Sequence, residues 1–235
     1  MALPFFYISD YTGEQQVTLN EEASRHVVQV LRMKEGESLN LTDGKGHLLT
    51  CEIFEISKKI CIVKVLTTSN QQPATRRISI AISLLKNPSR LEWFLEKATE
   101  IGVSEIIPLV CDRTEKEKFR HDRMNTICIS AMLQSQQCWL PVLHEPVQFE
   151  NLVMIQRENT AKFIAHCEDG SKQAISQCSN PQLTNSLILI GPEGDFTPHE
   201  IGLALQNAYQ PVSLGETRLR TETAGVVAAV LLCQG

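Results

Sequence analysis

The sequence predicts a two-part α/β chain: a small β-barrel over residues 1–70, a linker at 71–76, and an open, mostly parallel α/β domain over 77–235. Three observations carry this expectation. Short strand-like runs at close spacing fill the first part, the pattern of a small barrel. Residues 78–110 read as strand, helix and strand, the order of a βαβ unit. Leu187-Ile188-Leu189-Ile190 is an apolar run that breaks into Gly191-Pro192-Glu193-Gly194-Asp195-Phe196, as a strand buried on both faces of a parallel sheet does.

Composition agrees with a packed chain. The 235 residues are 43% hydrophobic and 21% charged, which is globular rather than disordered. The longest apolar run, Ala224 to Cys233, is too short to span a bilayer, and Met1-Ala2-Leu3-Pro4-Phe5-Phe6 lacks the basic start of a signal peptide. A cytoplasmic protein is therefore expected. The eight cysteines are scattered, without a C-x-x-C pair, and read as buried reduced thiols; no metal site is expected. A net charge of −5 argues against wholesale nonspecific nucleic-acid binding but leaves room for a local basic face.

In the first part, Phe5 to Ile8 is a candidate strand, and Asn20 caps a short helix expected over Glu21 to Val30. Asp43-Gly44-Lys45-Gly46 is a turn, Leu49, Cys51, Ile53 and Ile56 largely alternate, and Lys58-Lys59 marks a hairpin tip before Ile60 to Val65. The polar stretch Thr67 to Thr75 lacks periodicity and reads as the interdomain connection.

In the second part, Ile78 to Leu85 is a strand. Ser89 and Glu92 form a capping box for a helix carrying Leu91, Phe94, Leu95, Ala98 and Ile101 on one stripe, and Gly102 ends it. Glu105 to Val110 is the next strand. A mixed charge run at 112–123 leads into a long helix, about Asp122 to Gln137, and Ala161 to His166 is a further strand ending in a loop at Cys167-Glu168-Asp169-Gly170. After the glycine-bracketed loop, Thr197, Pro198 and Glu200 supply a cap, a first-turn proline and a capping box. Pro211 to Leu214 is a short strand, Gly215 to Thr221 its exit loop, and a last helix starts near Glu222. Ligands of open α/β sheets sit at the carboxyl ends of strands, where these loops lie.

Gly191-Pro192-Glu193-Gly194, then Leu214-Gly215, Arg218-Leu219-Arg220 and Glu222-Thr223-Ala224, resemble the C-terminal signature of the SPOUT methyltransferases, and within them the RsmE family. Lys86, Arg90, Glu92, Lys97, Glu100 and Gly102 fall on that family's K-x-x-R-x-E-x-x-x-x-K-x-x-E-x-G pattern, and His26 to Gly36 is similar to a segment of its PUA-like RNA-binding barrel. The resemblance implies methylation of N3 of a uridine in small-subunit ribosomal RNA, free or within an assembled subunit. It also implies S-adenosyl-L-methionine as methyl donor, a trefoil knot in the second domain and a homodimer. Leu133 and Gln137 depart from it, standing where the family has glutamate and arginine. That departure keeps a noncatalytic RNA-binding or assembly protein of the same fold as an alternative.

The candidate residues follow from the loops and from the chemistry. Uridine N3 carries a proton, so its methylation needs that proton removed or the imide anion stabilised. Arg218 or Arg220 suits the second task and Glu193 or Glu222 the first. The cofactor is expected against His166, against Leu189 to Gly194 (including Ile190, Gly191 and Pro192), and against Leu214, Gly215, Leu219, Arg220, Thr221 and Thr223. Candidate RNA contacts are His26, Arg32, Lys86, Arg90, Lys97 and Arg113.

Overall fold

A computed structural model of the chain describes residues 3–57, 60–178 and 183–234, so the expected hairpin tip Lys58-Lys59 lies outside the described residues. The chain forms two compact units, Met1–Pro73 with Met132–Leu140, and Ala74–Ala131 with Pro141–Gly235.

The first unit is a five-stranded sheet of β1 (Phe5–Tyr7), β2 (Gln16–Thr18), β3 (Ser38–Thr42), β4 (His47–Ile56) and β5 (Cys61–Asn70), in the order β1-β3-β4-β5-β2. Leu49, Cys51 and Ile53 alternate inward along β4 and join Leu39, Leu41, Cys61 and Val63 in one core. Two irregularities of register, at Thr50/Cys51 and Ile53/Glu55, bend β4 around it. The polar stretch from Thr67 to Asn70 is not linker but the end of β5, because its backbone pairs with β4 as far as His47↔Asn70. Exposed side chains hid a strand whose stability comes from its ladder.

The expected helix over Glu21 to Val30 is also revised. Asn20 caps it as read, its Oδ1 accepting from Ala23 N at 2.8 Å, but the α-helix α1 (Glu21–Arg25) gives way to a π-helical turn, His26–Val30. Valines crowd the preceding turn of an α-helix, and the wider turn, closed by Leu31 N donating to His26 O at 2.9 Å, still buries Val27 completely.

The second unit is a parallel sheet with helices on both faces. In chain order come β6 (Arg77–Ser83), α2 (Pro88–Ile101), β7 (Glu105–Val110), α3 (His121–Gln134), β8 (Val142–Leu143), β9 (Val147–Gln148) and α4 (Phe149–Met154). They are followed by β10 (Thr160–Ala165), β11 (Gln173–Ala174), β12 (Asn185–Ile190), α5 (Pro198–Gln206), β13 (Gln210–Ser213) and α6 (Thr221–Cys233). The sheet order is β11-β13-β10-β12-β6-β7-β8, with β9 pairing β7. α2 is capped two residues earlier than the expected Ser89–Glu92 box. Asn87 Oδ1 accepts from Ser89 N at 3.0 Å and Pro88 opens the helix, leaving Glu92 to pair with Arg123 at 2.7 Å. Gly102 closes the helix as read, in the left-handed conformation at φ 97°.

At the amino edge of the sheet, Glu105 accepts from Ser79 Oγ, from Arg157 Nη1 at 2.7 Å and from His144 Nε2 at 2.7 Å. Burial alone would raise its carboxyl; the three partners outweigh that and hold it below the ordinary range.

The small residues of α6 are used within the chain. A Cβ on Gly225 would stand 2.6 Å from the Phe94 ring on α2 and 3.0 Å from Ile82 on β6, and Ala228 and Ala229 are fully buried. Phe94 is itself fully buried and cannot swing aside. Gly225→Ala is therefore expected to destabilise the chain by about 1–3 kcal/mol. That lowers the thermal midpoint by several degrees, which a calorimetric scan reads directly; an unchanged midpoint contradicts this packing.

Candidate active site

Register places the loops. Ile190 at the end of β12 pairs with Ile82 of β6 on one side and Ala165 of β10 on the other, and Ala165 pairs with Val212 of β13. The chain thus leaves four adjacent strands at nearly one level of one sheet edge.

The loop after β12 is held from several directions. Thr197 and Glu200 form the expected capping box, and Glu200 Oε1 also accepts from Asp112 N at 3.0 Å. Asp195 takes a positive φ of 64°, and its side chain fixes both neighbours: Oδ1 accepts from Phe196 N at 2.8 Å, Oδ2 from Cys167 N at 2.7 Å. Phe196 is fully buried in the core beside Phe149, and a Cβ on Gly191 would meet its ring at 3.1 Å. Arg113 Nη1 donates to Gly194 O at 2.7 Å and to Phe196 O at 3.4 Å. The loop after β13 turns at Gly215, whose φ of 150° side chains rarely adopt, while Gly215 N donates to Ser213 Oγ at 3.3 Å.

These loops enclose a cavity of about 720 Å³. Ala165, His166, Cys167 and Lys172 line one side, Ile190 to Glu193 and Asp195 a second, and Val212 to Thr221 a third; Arg90 of α2 and Ala224 of α6 complete it. Apolar Ile190, Val212, Leu214 and Leu219 offer flat contact for a ring. Glu193, Asp195 and Glu216 set negative charge against Arg90, Lys172, Arg218 and Arg220. The arrangement can take a ligand with an aromatic body and both charges. Arg218 and Arg220 are exposed and their guanidinium groups make no hydrogen bond or ion pair among the described residues, so both are open to a ligand.

Of the residues singled out from the sequence, His166, Ile190, Gly191, Pro192, Glu193, Leu214, Gly215, Arg218, Leu219, Arg220, Thr221 and Arg90 all line the cavity. Leu189 does not, since alternation turns it into the core at 0% exposure. Gly194 faces Arg113 rather than the cavity, and Thr223 is not part of the wall. Glu222 lies behind the wall, buried, with Oε1 3.6 Å from Arg90 Nε. Lys86 pairs with Glu115 at 2.7 Å, and Lys97 with Glu96 at 2.7 Å and Glu100 at 3.1 Å. His26 and Arg32 belong to the first unit. The sequence reading missed Cys167, Lys172, Asp195 and Glu216. Cys167, grouped there with the buried thiols, is exposed on the wall.

Residues 71–233 match the family described as an RNA methyltransferase domain, and residues 19–66 match an RNA methyltransferase PUA domain. The Ribosomal RNA small subunit methyltransferase E of Mesomycoplasma hyopneumoniae is 31% identical over 176 residues, 72% of this chain and 74% of the relative.

This chain belongs to the RsmE family of RNA methyltransferases.

The same fold recurs in solved structures of rRNA methyltransferases and proteins described as such. A probable rRNA-methyltransferase from Porphyromonas gingivalis superposes with a TM-score of 0.90 at 36% identity, covering 99% of this chain and 100% of that one. A Neisseria gonorrhoeae Ribosomal RNA small subunit methyltransferase E, crystallised with S-adenosyl methionine, gives 0.87 at 26% identity, covering 97% and 95%. Among the described residues, no helix is long and apolar enough to cross a membrane and no group of three metal-binding side chains occurs.

On the cavity wall His166 stands in a distinct environment. Its Nδ1 is buried without a hydrogen-bond partner, and its pKa is lowered, first by burial and then by the Lys172 charge, against the opposing pull of Asp195 and Glu168. The unfolded chain therefore takes this proton more readily than the folded one. Stability is lost as pH falls through the unfolded value, about 6.5. His166→Gln removes that contribution. Denaturant midpoints at about pH 7.5 and about pH 5.5 should show a smaller acid loss in the variant than in the parent; an equal loss contradicts the assignment.

Proposed function

We propose that this chain transfers a methyl group from S-adenosyl-L-methionine to N3 of a uridine in small-subunit ribosomal RNA, with the cavity at the carboxyl edge of the sheet as the active site. The observation that carries the reading is that cavity, in which twelve of the residues picked out by the family signature and the loop chemistry meet. The residues present fit the cofactor. Ile190, Leu214 and Leu219 suit an adenine ring, the buried unpartnered Nδ1 of His166 awaits a polar partner, and Glu193, Asp195 and Glu216 suit a sulfonium and an ammonium. When bound, the cofactor supplies an electrophilic methyl on a positively charged sulfur.

The chain's part is positioning and charge. In-line transfer depends on holding two reactants at contact, and the cross-linked loops preorganise one side of that contact. The RNA base must be unpaired or flipped to enter. Charge that leaves N3 spreads over O2 and O4, where a guanidinium fork stabilises it; Arg220, at the mouth of α6 with a guanidinium that has no partner among the described residues, supports this role, with Arg218 on the same loop. The first unit, which matches a PUA domain, is the RNA-holding module, with His26 and Arg32 as its contacts.

We further propose a trefoil knot, a homodimer and a cytoplasmic location. Support for the knot is topological: β13 lies beyond β10, yet the next element, α6, packs on α2, β6 and β12, so residues 214–220 must cross back past the loop after β12.

The test is mass mapping of ribosomal RNA from cells with and without the protein. One uridine should lose its N3-methyl mark when the protein is absent; an unchanged map rejects the reaction. Arg220→Ala should slow single-turnover transfer by about 10²–10³ at saturating RNA and cofactor, with cofactor affinity little changed. Arg220→Lys should recover little, since a point charge lacks the fork. A variant that binds RNA less tightly but transfers at the parental rate makes Arg220 an anchor only.

A further inference from the structure

The proposed reaction needs a group to take the N3 proton. Four carboxylates stand at or beside the cavity. Each oxygen of Asp195 already accepts from a backbone amide, Oδ1 from Phe196 and Oδ2 from Cys167, which ties it to the loops. Glu193 and Glu216 are exposed, and Glu193 Oε1 accepts from Lys86 N at 3.2 Å. Glu222 differs. It is 7% exposed in the first turn of α6, between the cavity-lining Thr221 and Ala224 in sequence, and its Oε1 lies 3.6 Å from Nε of the cavity-lining Arg90. Its Oε2 is sealed from solvent and has no hydrogen-bond partner, the one carboxylate oxygen so placed among the described residues. Such an acceptor is costly to bury, and a ligand that brings a donor repays the cost.

We propose that Glu222, through Oε2, accepts the N3 proton of the target base, and that this acceptor selects uracil over cytosine. The inference rests on the methyltransferase reading above. Uracil presents an N–H at ring position 3, the donor that Oε2 lacks. Cytosine presents a lone pair there, which would face the carboxylate's own lone pairs and leave both unpaired. In the reaction the N3–H bond breaks and its proton passes to Oε2. The electron pair left on N3 forms the bond to the transferred methyl, whose former bonding pair departs with the sulfur.

Arg90 stands on the other carboxylate oxygen, Oε1. Its contact with Glu222, at 3.6 Å, is longer than a hydrogen bond, and its side chain is 39% exposed. On this proposal the base reaches Oε2 while Arg90 stays on the side of Oε1 or shifts from it, the contact being held by charge rather than by a hydrogen bond. Among the described residues Arg90 is the charged group in ion-pair range of Glu222 from the packed elements; Arg218 and Arg220 on the preceding loop make no ion pair.

The test compares the parent with Glu222→Gln, which keeps the shape and removes the basic oxygen. Calorimetric titration with S-adenosyl-L-methionine is expected to give the same affinity for both. Single-turnover methyl transfer to small-subunit ribosomal RNA, at saturating RNA and cofactor, is expected to slow by about 10²–10⁴ at about pH 7. The deficit should shrink steadily toward about pH 9.5, as hydroxide removes the imide proton instead. A near-parental rate at pH 7 overturns the proposal, as does a deficit that stays constant with pH, which would make Glu222 only a support for Arg90. If Glu222→Gln does not bind the cofactor, Glu222→Asp replaces it, keeping the charge and retracting the oxygen; its deficit must shrink with pH in the same way or the proposal falls. A parent that binds neither cofactor nor RNA defeats the methyltransferase reading itself, and this inference with it.

Discussion

Everything at the site depends on the pairing of β12 with β6 and β10. Six residues of β12, Asn185 to Ile190, run in parallel register with Arg77 to Ile82 on one side and with Thr160 to Ala165 on the other. A parallel strand in this position must be apolar on both faces, and Leu187 to Ile190 are all buried. Because the register is shared, the neighbouring strands end together and their exits stand side by side. A slip of one residue would turn Leu187 and Leu189 away from Phe196 and Ile201 and misalign every loop.

The loops themselves are irregular, so their shape comes from side-chain and backbone cross-links. Asp195 ties the loop after β12 to the one after β10, Glu193 ties it to Lys86 after β6, and Arg113 holds it from behind. Each of these bonds joins a charged side chain to a backbone group, and such charge-assisted bonds are stronger than neutral ones. Rigid loops of this kind let a cavity meet its ligand in one geometry. Among the described residues at or beside the cavity, His166 Nδ1, Glu222 Oε2 and the guanidinium groups of Arg218 and Arg220 have no hydrogen-bond partner, and these are the groups proposed to meet the cofactor or the base.

Much of this was legible in the residues. The run Leu187 to Ile190, the capping box at Thr197 and Glu200, the left-handed stop at Gly102 and the βαβ order each rest on local rules that tertiary structure did not override. Other features depend on contacts that no local pattern records. Arg113 looks like a cation for RNA until Gly194 and Phe196 present their carbonyls to it. Leu189 looks like a platform for a ring until alternation turns it inward. Lys172 and Cys167 reach the cavity only because β10 is paired beside β12. The strand character of Thr67 to Asn70 was hidden because β5 there is held by its backbone, and the π-helical turn because helical spacing does not distinguish it from an α-helix.

The central claim is that loops from several strands form one cofactor site. Hydrogen exchange of the intact chain, with and without saturating S-adenosyl-L-methionine, tests it most directly. The account predicts slowed exchange in residues 166–172, 190–195 and 213–221 together, with no comparable change in β3 to β5. Protection confined to a single loop, protection centred elsewhere, or none at all under saturating cofactor would contradict it.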